Sequence, residues 1–106
     1  MLTEKDYCDY DTAWELCALG YPEEDWILLY SAQKWLRKDK KIIVETNFNI
    51  MYEEQPRFSW RVLYNLTQCK GAYYFFDSVK SKEDYDSNEE ALSEGIKEAV
   101  KILKKK

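Results

Sequence analysis

Apolar positions along this chain fall into two helical stripes, three runs that alternate in the manner of strands, and a longer helical stripe at the end. From Thr12 to Leu19, Ala13, Leu16 and Cys17 recur at helical spacing, with Asp11 placed to cap the first turn. Gly20 stands where a helix end asks for a left-handed residue, and Pro22 blocks continuation. Pro22 also suits the start of a second helix, in which Glu23, Glu24 and Asp25 meet the positive end of the dipole. That helix is predicted to run to Lys38, with Trp26, Leu29, Tyr30, Ala32, Gln33 and Leu36 along its path and Ile27, Leu28 and Trp35 widening the apolar face.

The period then changes. Ile42 to Ile50 is rich in β-branched residues, with Ile42, Val44, Thr46, Phe48 and Ile50 on one face and Glu45, Asn47 and Asn49 on the other. Tyr52 to Arg57, containing Pro56, reads as a hairpin loop. Phe58 to Thr67 alternates more cleanly, setting Phe58, Trp60, Val62, Tyr64 and Leu66 against Ser59, Arg61, Leu63, Asn65 and Thr67. Cys69-Lys70-Gly71 suggests a tight turn, and Ala72 to Val79 a third strand, apolar on both faces. Ser87, followed three residues later by Glu90, is a capping box opening a last helix from Asn88 to Lys104. Its stripe is Ala91, Leu92, Gly95, Ile96, Ala99, Val100 and Leu103.

The order is α-α-β-β-β-α. Hairpin-length connections make the sheet an antiparallel meander, and the simplest packing buries one sheet face under the helices. The expected fold is therefore a two-layer α+β sandwich. With 106 residues, of which 45% are hydrophobic, the chain is one domain (1–106) with one core, and residues 1–10 are expected to form an acidic N-terminal arm.

Charge alters the picture locally. The net charge is −4, but residues 1–26 hold eight acids (Glu4, Asp6, Asp9, Asp11, Glu15, Glu23, Glu24, Asp25) against Lys5 alone. Lys34, Arg37, Lys38, Lys40 and Lys41 reverse the sign further on, as befits the C-terminal turn of a helix. An acidic chain is a poor polyanion binder, which disfavours nucleic acid. There is no long apolar run for a membrane span and no basic-then-apolar leader, and the three cysteines at unrelated spacings read as reduced thiols. The expected setting is cytoplasmic.

The chain has no histidine, which removes Ser-His and Cys-His nucleophile pairs and imidazole-based zinc sites. Asp6, Asp9 and Asp11 lack the glycine and closing glutamate of a calcium loop, so neither a metal nor a cofactor is expected. The expectation is a non-enzymatic protein. The aromatic strands are the remaining candidate. Trp60, Tyr64 and Tyr73 to Phe76 resemble a base-stacking platform, but only Arg57, Arg61 and Lys70 accompany them. Arg61, Leu63, Tyr73 and Phe75 are the predicted interaction surface, about half of the strand aromatics being assigned to the core.

Two segments, Ser31-Ala32-Gln33-Lys34-Trp35-Leu36-Arg37 running into Ile42-Ile43-Val44, and Tyr85 to Ala99, resemble a group of small uncharacterised proteins of gut Bacteroidetes and their phages. The resemblance covers about a fifth of the chain and rests on amphipathic helices, with no chemistry of its own. It implies a bacterial or phage protein and carries no site residues. The expected function is a protein-interaction or self-association module binding a protein partner or a second copy of itself through the sheet face or the acidic N-terminal region. A nucleic-acid-associated accessory protein is the alternative, and a carboxylate-based enzyme comes third.

Overall fold

The computed structural model describes residues 3–22, 26–49, 57–69 and 73–105, with the backbone alone described at Asn49, Gln68, Cys69 and 73–75. A single 3-10 turn (Glu4–Asp6) precedes α1 (Tyr10–Ala18), α2 (Leu29–Asp39), β1 (Ile43–Asn49), β2 (Arg57–Cys69), β3 (Tyr73–Lys80) and α3 (Asn88–Lys104). The sheet order is β1-β2-β3, antiparallel throughout, so the α+β meander with its two layers is the observed fold. The loop over 52–56, the turn at Lys70-Gly71, and Glu23, Glu24 and Asp25 lie outside the described residues.

α3 crosses the helix-facing side of the sheet at Gly95, the only residue of its stripe without a Cβ. A Cβ built there would lie 2.7 Å from Val44 Cγ1 and 3.2 Å from Trp60 Cβ. Ala91, Leu92, Ile96, Ala99 and Val100 from α3 close the core with Leu16, Leu29, Ala32 and Leu36 from the other helices, Ile42 just before β1, and Val44, Trp60 and Val62 from the sheet. The alternation of β1 and β2 is therefore realised near α3. Farther along β1, Phe48 emerges exposed and meets Phe58 with ring centroids 5.4 Å apart.

Helix ends follow their local chemistry, with two corrections. Asp9, not Asp11, caps α1, its carboxylate accepting the Thr12 N–H at 2.8 Å, so the helix starts two residues earlier than the sequence suggested. Gly20, at φ 110°, ends it as expected: Tyr21 N–H bonds the Leu16 carbonyl and Gly20 N–H that of Cys17, a Schellman closure. α2 begins at Leu29, not at Pro22. Ile27 and Leu28 are instead extended, because Cys8 N–H donates to the Ile27 carbonyl at 2.7 Å and Leu28 forms an antiparallel bridge with Tyr7. Burying Ile27 in the core by this pairing outweighs the local helix-start signal of proline and acids. At the other end of the chain the Ser87 hydroxyl accepts the Glu90 N–H, as the capping box requires.

β2 carries an irregularity between Tyr64 and Thr67, where Asn65 takes a left-handed φ of 53° and bonds Asp77 through its amide at 2.9 Å. After β3, Tyr85 pairs with Phe58, and Arg57 is gripped by the Asp86 carboxylate and the Asp84 carbonyl, which continues the sheet edge towards α3.

Candidate functional site

α1 has two apolar faces. Thr12 and Leu16 are buried towards α3, where Asp9 pairs with Lys97 at 3.0 Å and Glu15 with Lys104 at 2.9 Å. Tyr10, Ala13, Trp14, Cys17 and Ala18 follow the i, i+3, i+4, i+7, i+8 path along the other face. On that side the extended strand pair of Tyr7–Cys8 with Ile27–Leu28 runs alongside the helix and leaves a groove of about 680 Å³. Cys8, Ala13, Cys17 and Ile27 contribute to its floor, and the aromatic side chains stand around it.

Those aromatics are the most exposed large apolar groups among the described residues: Tyr10 at 80%, Trp26 at 73% and Trp14 at 65%. Trp26 is held by an edge-on contact with Tyr7, centroids 5.6 Å apart. Leaving three such rings in water forgoes a large burial gain, roughly 1.5–3 kcal/mol per fully buried aromatic side chain. A contiguous patch of this kind marks an interaction site far more often than scattered single residues do.

The residues lining the groove carry no charge, whereas Asp9, Asp11 and Glu15 line the cleft on the α3 side of α1 with Lys97, Lys101 and Lys104. Asp11 is exposed on α1, and Glu4 and Asp6 lie in the preceding turn. Asp6 accepts the Thr3 N–H at 2.8 Å. The Cys8 thiol is pushed up to about 12, first by burial and then by the neighbouring Asp9. It is thereby held protonated and is no nucleophile.

The sheet residues predicted as a surface are only partly brought together. Arg61 and Glu45 are register partners on the sheet face turned from the helices, joined by an ion pair at 2.8 Å with a second contact at 3.2 Å, so the arginine is occupied. Leu63 follows on the same face, 6% exposed and outside the main core. Register pairs Arg61 with Lys80 and Leu63 with Ser78, whereas Tyr73 and Phe75 pair with Cys69 and Thr67 beyond the irregularity. The side chains of Tyr73 and Phe75 lie outside the described part of the structure. The basic cluster sits at the end of α2 and just after it, with Lys40 over the Trp35 ring at 5.5 Å.

Among the described residues no group of three or more carboxylate or thiol side chains is placed to hold a metal, and no helix is long and apolar enough to cross a membrane. The groove was readable in part, since Tyr10 to Ala18 carries a second helical stripe. Trp26 was not, because it reaches the groove only through the Cys8–Ile27 pairing. Comparison with family models, with curated proteins and with solved structures gave no match.

Proposed function

We propose that this chain is a non-enzymatic protein-interaction module whose contact surface is the groove along α1. The observation that carries this reading is the convergence of Tyr10, Trp14 and Trp26, all well exposed, around a largely apolar groove of about 680 Å³. Tyrosine and tryptophan dominate the binding energy of protein interfaces, because they bury large rigid areas at small entropic cost. The lack of histidine in the chain and the buried, protonated state of Cys8 support a binding role over nucleophilic catalysis. A nucleic-acid partner is disfavoured, since residues 1–26 hold eight acids against Lys5 alone and Arg61 is engaged by Glu45.

The test is site-specific crosslinking in cells that express the full chain. A photoreactive phenylalanine analogue at position 14 is expected to give an adduct of discrete mass that disappears when Tyr10 and Trp26 are both changed to alanine. The same analogue at position 38, on the exposed end of α2, should not give it. Identical products from both positions, or none from position 14, would remove the reading.

A further inference from the structure

Taking the groove as a protein contact surface, we infer that its occupant is a second copy of this chain, docked through α1 about a two-fold axis with the two helices antiparallel. The groove face of α1 is graded in size. Tyr10 and Trp14 occupy its N-terminal half, and Cys17 and Ala18 its C-terminal end. A two-fold axis passing beside Trp14 sets Tyr10 of one copy level with Ala18 of the other. Each Tyr10 ring then covers a small residue, and the two Trp14 rings meet at the centre. An isologous interface requires this self-complementarity, with a large group and the space for it on the same patch.

Charge permits the pairing. The groove lining holds no charged side chain, and the cores of protein interfaces are depleted of them. Asp9, Asp11 and Glu15 line the cleft on the α3 side of the helix, where Lys97, Lys101 and Lys104 accompany them. The antiparallel arrangement also sets Asp11 level with Cys17 of the second copy, so the acid does not face itself. Area supports the pairing too. An aromatic side chain offers about 150–250 Å². Tyr10, Trp14 and Trp26, each at least 65% exposed, therefore leave roughly 300–550 Å² of ring surface uncovered per copy. Two copies supply roughly half of the about 1,200–2,000 Å² that a stable interface buries, before Ala13, Cys17 and Ala18 are counted.

The experiment follows the mass of the full chain by sedimentation equilibrium from low micromolar to near-millimolar concentration. The wild type is expected to rise from one chain mass to two and no further, because a two-fold contact closes on itself. Trp14→Ala should weaken association about tenfold or more, as the loss of a central aromatic anchor does. Ala18→Tyr discriminates packing from mere stickiness. It adds apolar surface at an exposed position, yet fills the space that Tyr10 of the other copy needs, so it should also weaken the dimer. Tyr10→Ala combined with Ala18→Tyr exchanges the large and small ends and should restore most of the loss. Far-UV circular dichroism checks that each variant keeps the fold, which the exposed positions favour. A chain monomeric throughout, a mass rising past two copies, association unchanged by Trp14→Ala, or association strengthened by Ala18→Tyr overturns the two-fold dimer. The photoreactive analogue at position 14 separates that outcome from failure of the groove itself. An adduct of twice the chain mass is expected. A discrete adduct of another mass on a monomeric chain overturns the second copy while sparing the groove as a contact surface, and no adduct removes both.

Discussion

The backbone N–H of Cys8 donates to the carbonyl of Ile27 at 2.7 Å, and this bond, with the neighbouring Tyr7–Leu28 bridge, joins the N-terminal turn to the approach to α2. It seats Ile27 in the core, delays α2 to Leu29 and forms one wall of the aromatic groove. Fold and candidate site therefore share this one tie between distant positions of the chain.

Ile27→Ala tests it. Ile27 is fully buried, so truncation removes its transfer energy and leaves a cavity, a loss of about 2–5 kcal/mol. Urea unfolding should show that loss as a lower midpoint with an unchanged slope. Tryptophan emission should also shift, as Trp26 loses its neighbour in the chain.

The two described cysteines should differ in reactivity. Burial, then Asp9, raises the Cys8 thiol to about 12, while Cys17 is only half-buried. Alkylation of the native protein at mildly alkaline pH, followed by peptide mass spectrometry, is expected to leave Cys8 unmodified. Unfolding in urea should expose it to rapid labelling. Fast native labelling at Cys8 would contradict the packed N-terminal turn.

Gly95 is required by contact and not by backbone conformation. Alanine is the better helix former by about 1 kcal/mol, but here its methyl would enter the space of Val44 Cγ1, a stiff β-branched side chain, and of Trp60 Cβ. Gly95→Ala is expected to destabilise by roughly 1–3 kcal/mol. Combining it with Val44→Ala should show a favourable coupling in a double-mutant cycle, since the second change vacates the position the first one needs.

Asp9 gives a defined acid dependence. Burial alone would raise its carboxyl, but the Thr12 N–H and hydroxyl and the Lys97 ammonium outweigh burial and hold it below its ordinary 3.8. A depressed folded value means the stabilisation is present above pH 3.8 and lost as pH falls through the folded value. Lys97 is shifted upward, first by its hydrogen bond to Asp9, so its share is present below pH 10.5 and lost as pH rises above it. Asp9→Asn keeps a cap, and its thermal midpoint should fall below that of the wild type at neutral pH, with the gap closing in acid. Asp9→Ala, which removes the cap as well, should cost about 1 kcal/mol more.

Gly20 and Lys41 meet the same backbone demand with different residues. Gly20 has φ 110° with open space around it, so Gly20→Ala should lose about 1–2 kcal/mol through conformation alone. Lys41 holds φ 55° just after α2, where the Leu36 carbonyl accepts both Lys40 and Ile42 N–H groups. Lys41→Gly should therefore stabilise by roughly 0.5–1 kcal/mol, the relief of the left-handed strain less the extra entropy of glycine when unfolded. Thermal scans of the two variants should move in opposite directions.

The elements legible from the sequence were those whose signals are local. Ser87 opens α3, Gly20 closes α1, and the Phe58–Leu66 alternation marks β2, each through bonds or periodicity within a few residues. The start of α2 was misplaced because the Pro22 signal competes with a pairing to Cys8, far up the chain, that no local window contains. The candidate surface was sought on the sheet, where aromatics concentrate in the sequence, while the described exposed cluster lies across α1.

By itself, then, the sequence determined the order of elements, the antiparallel connections and the stripe of α3, because these follow from side-chain period and backbone capping. Only the tertiary structure decided which of the two apolar faces of α1 is covered. Hydrophobic burial has no direction of its own, so a stripe states that a face can be buried without naming its partner. Lys97 and Lys104 reach across from α3 to Asp9 and Glu15, and Thr12 and Leu16 are the residues enclosed on that side. Tyr10 and Trp14 are left facing outward, with Trp26 carried alongside them by the bond between Cys8 and Ile27.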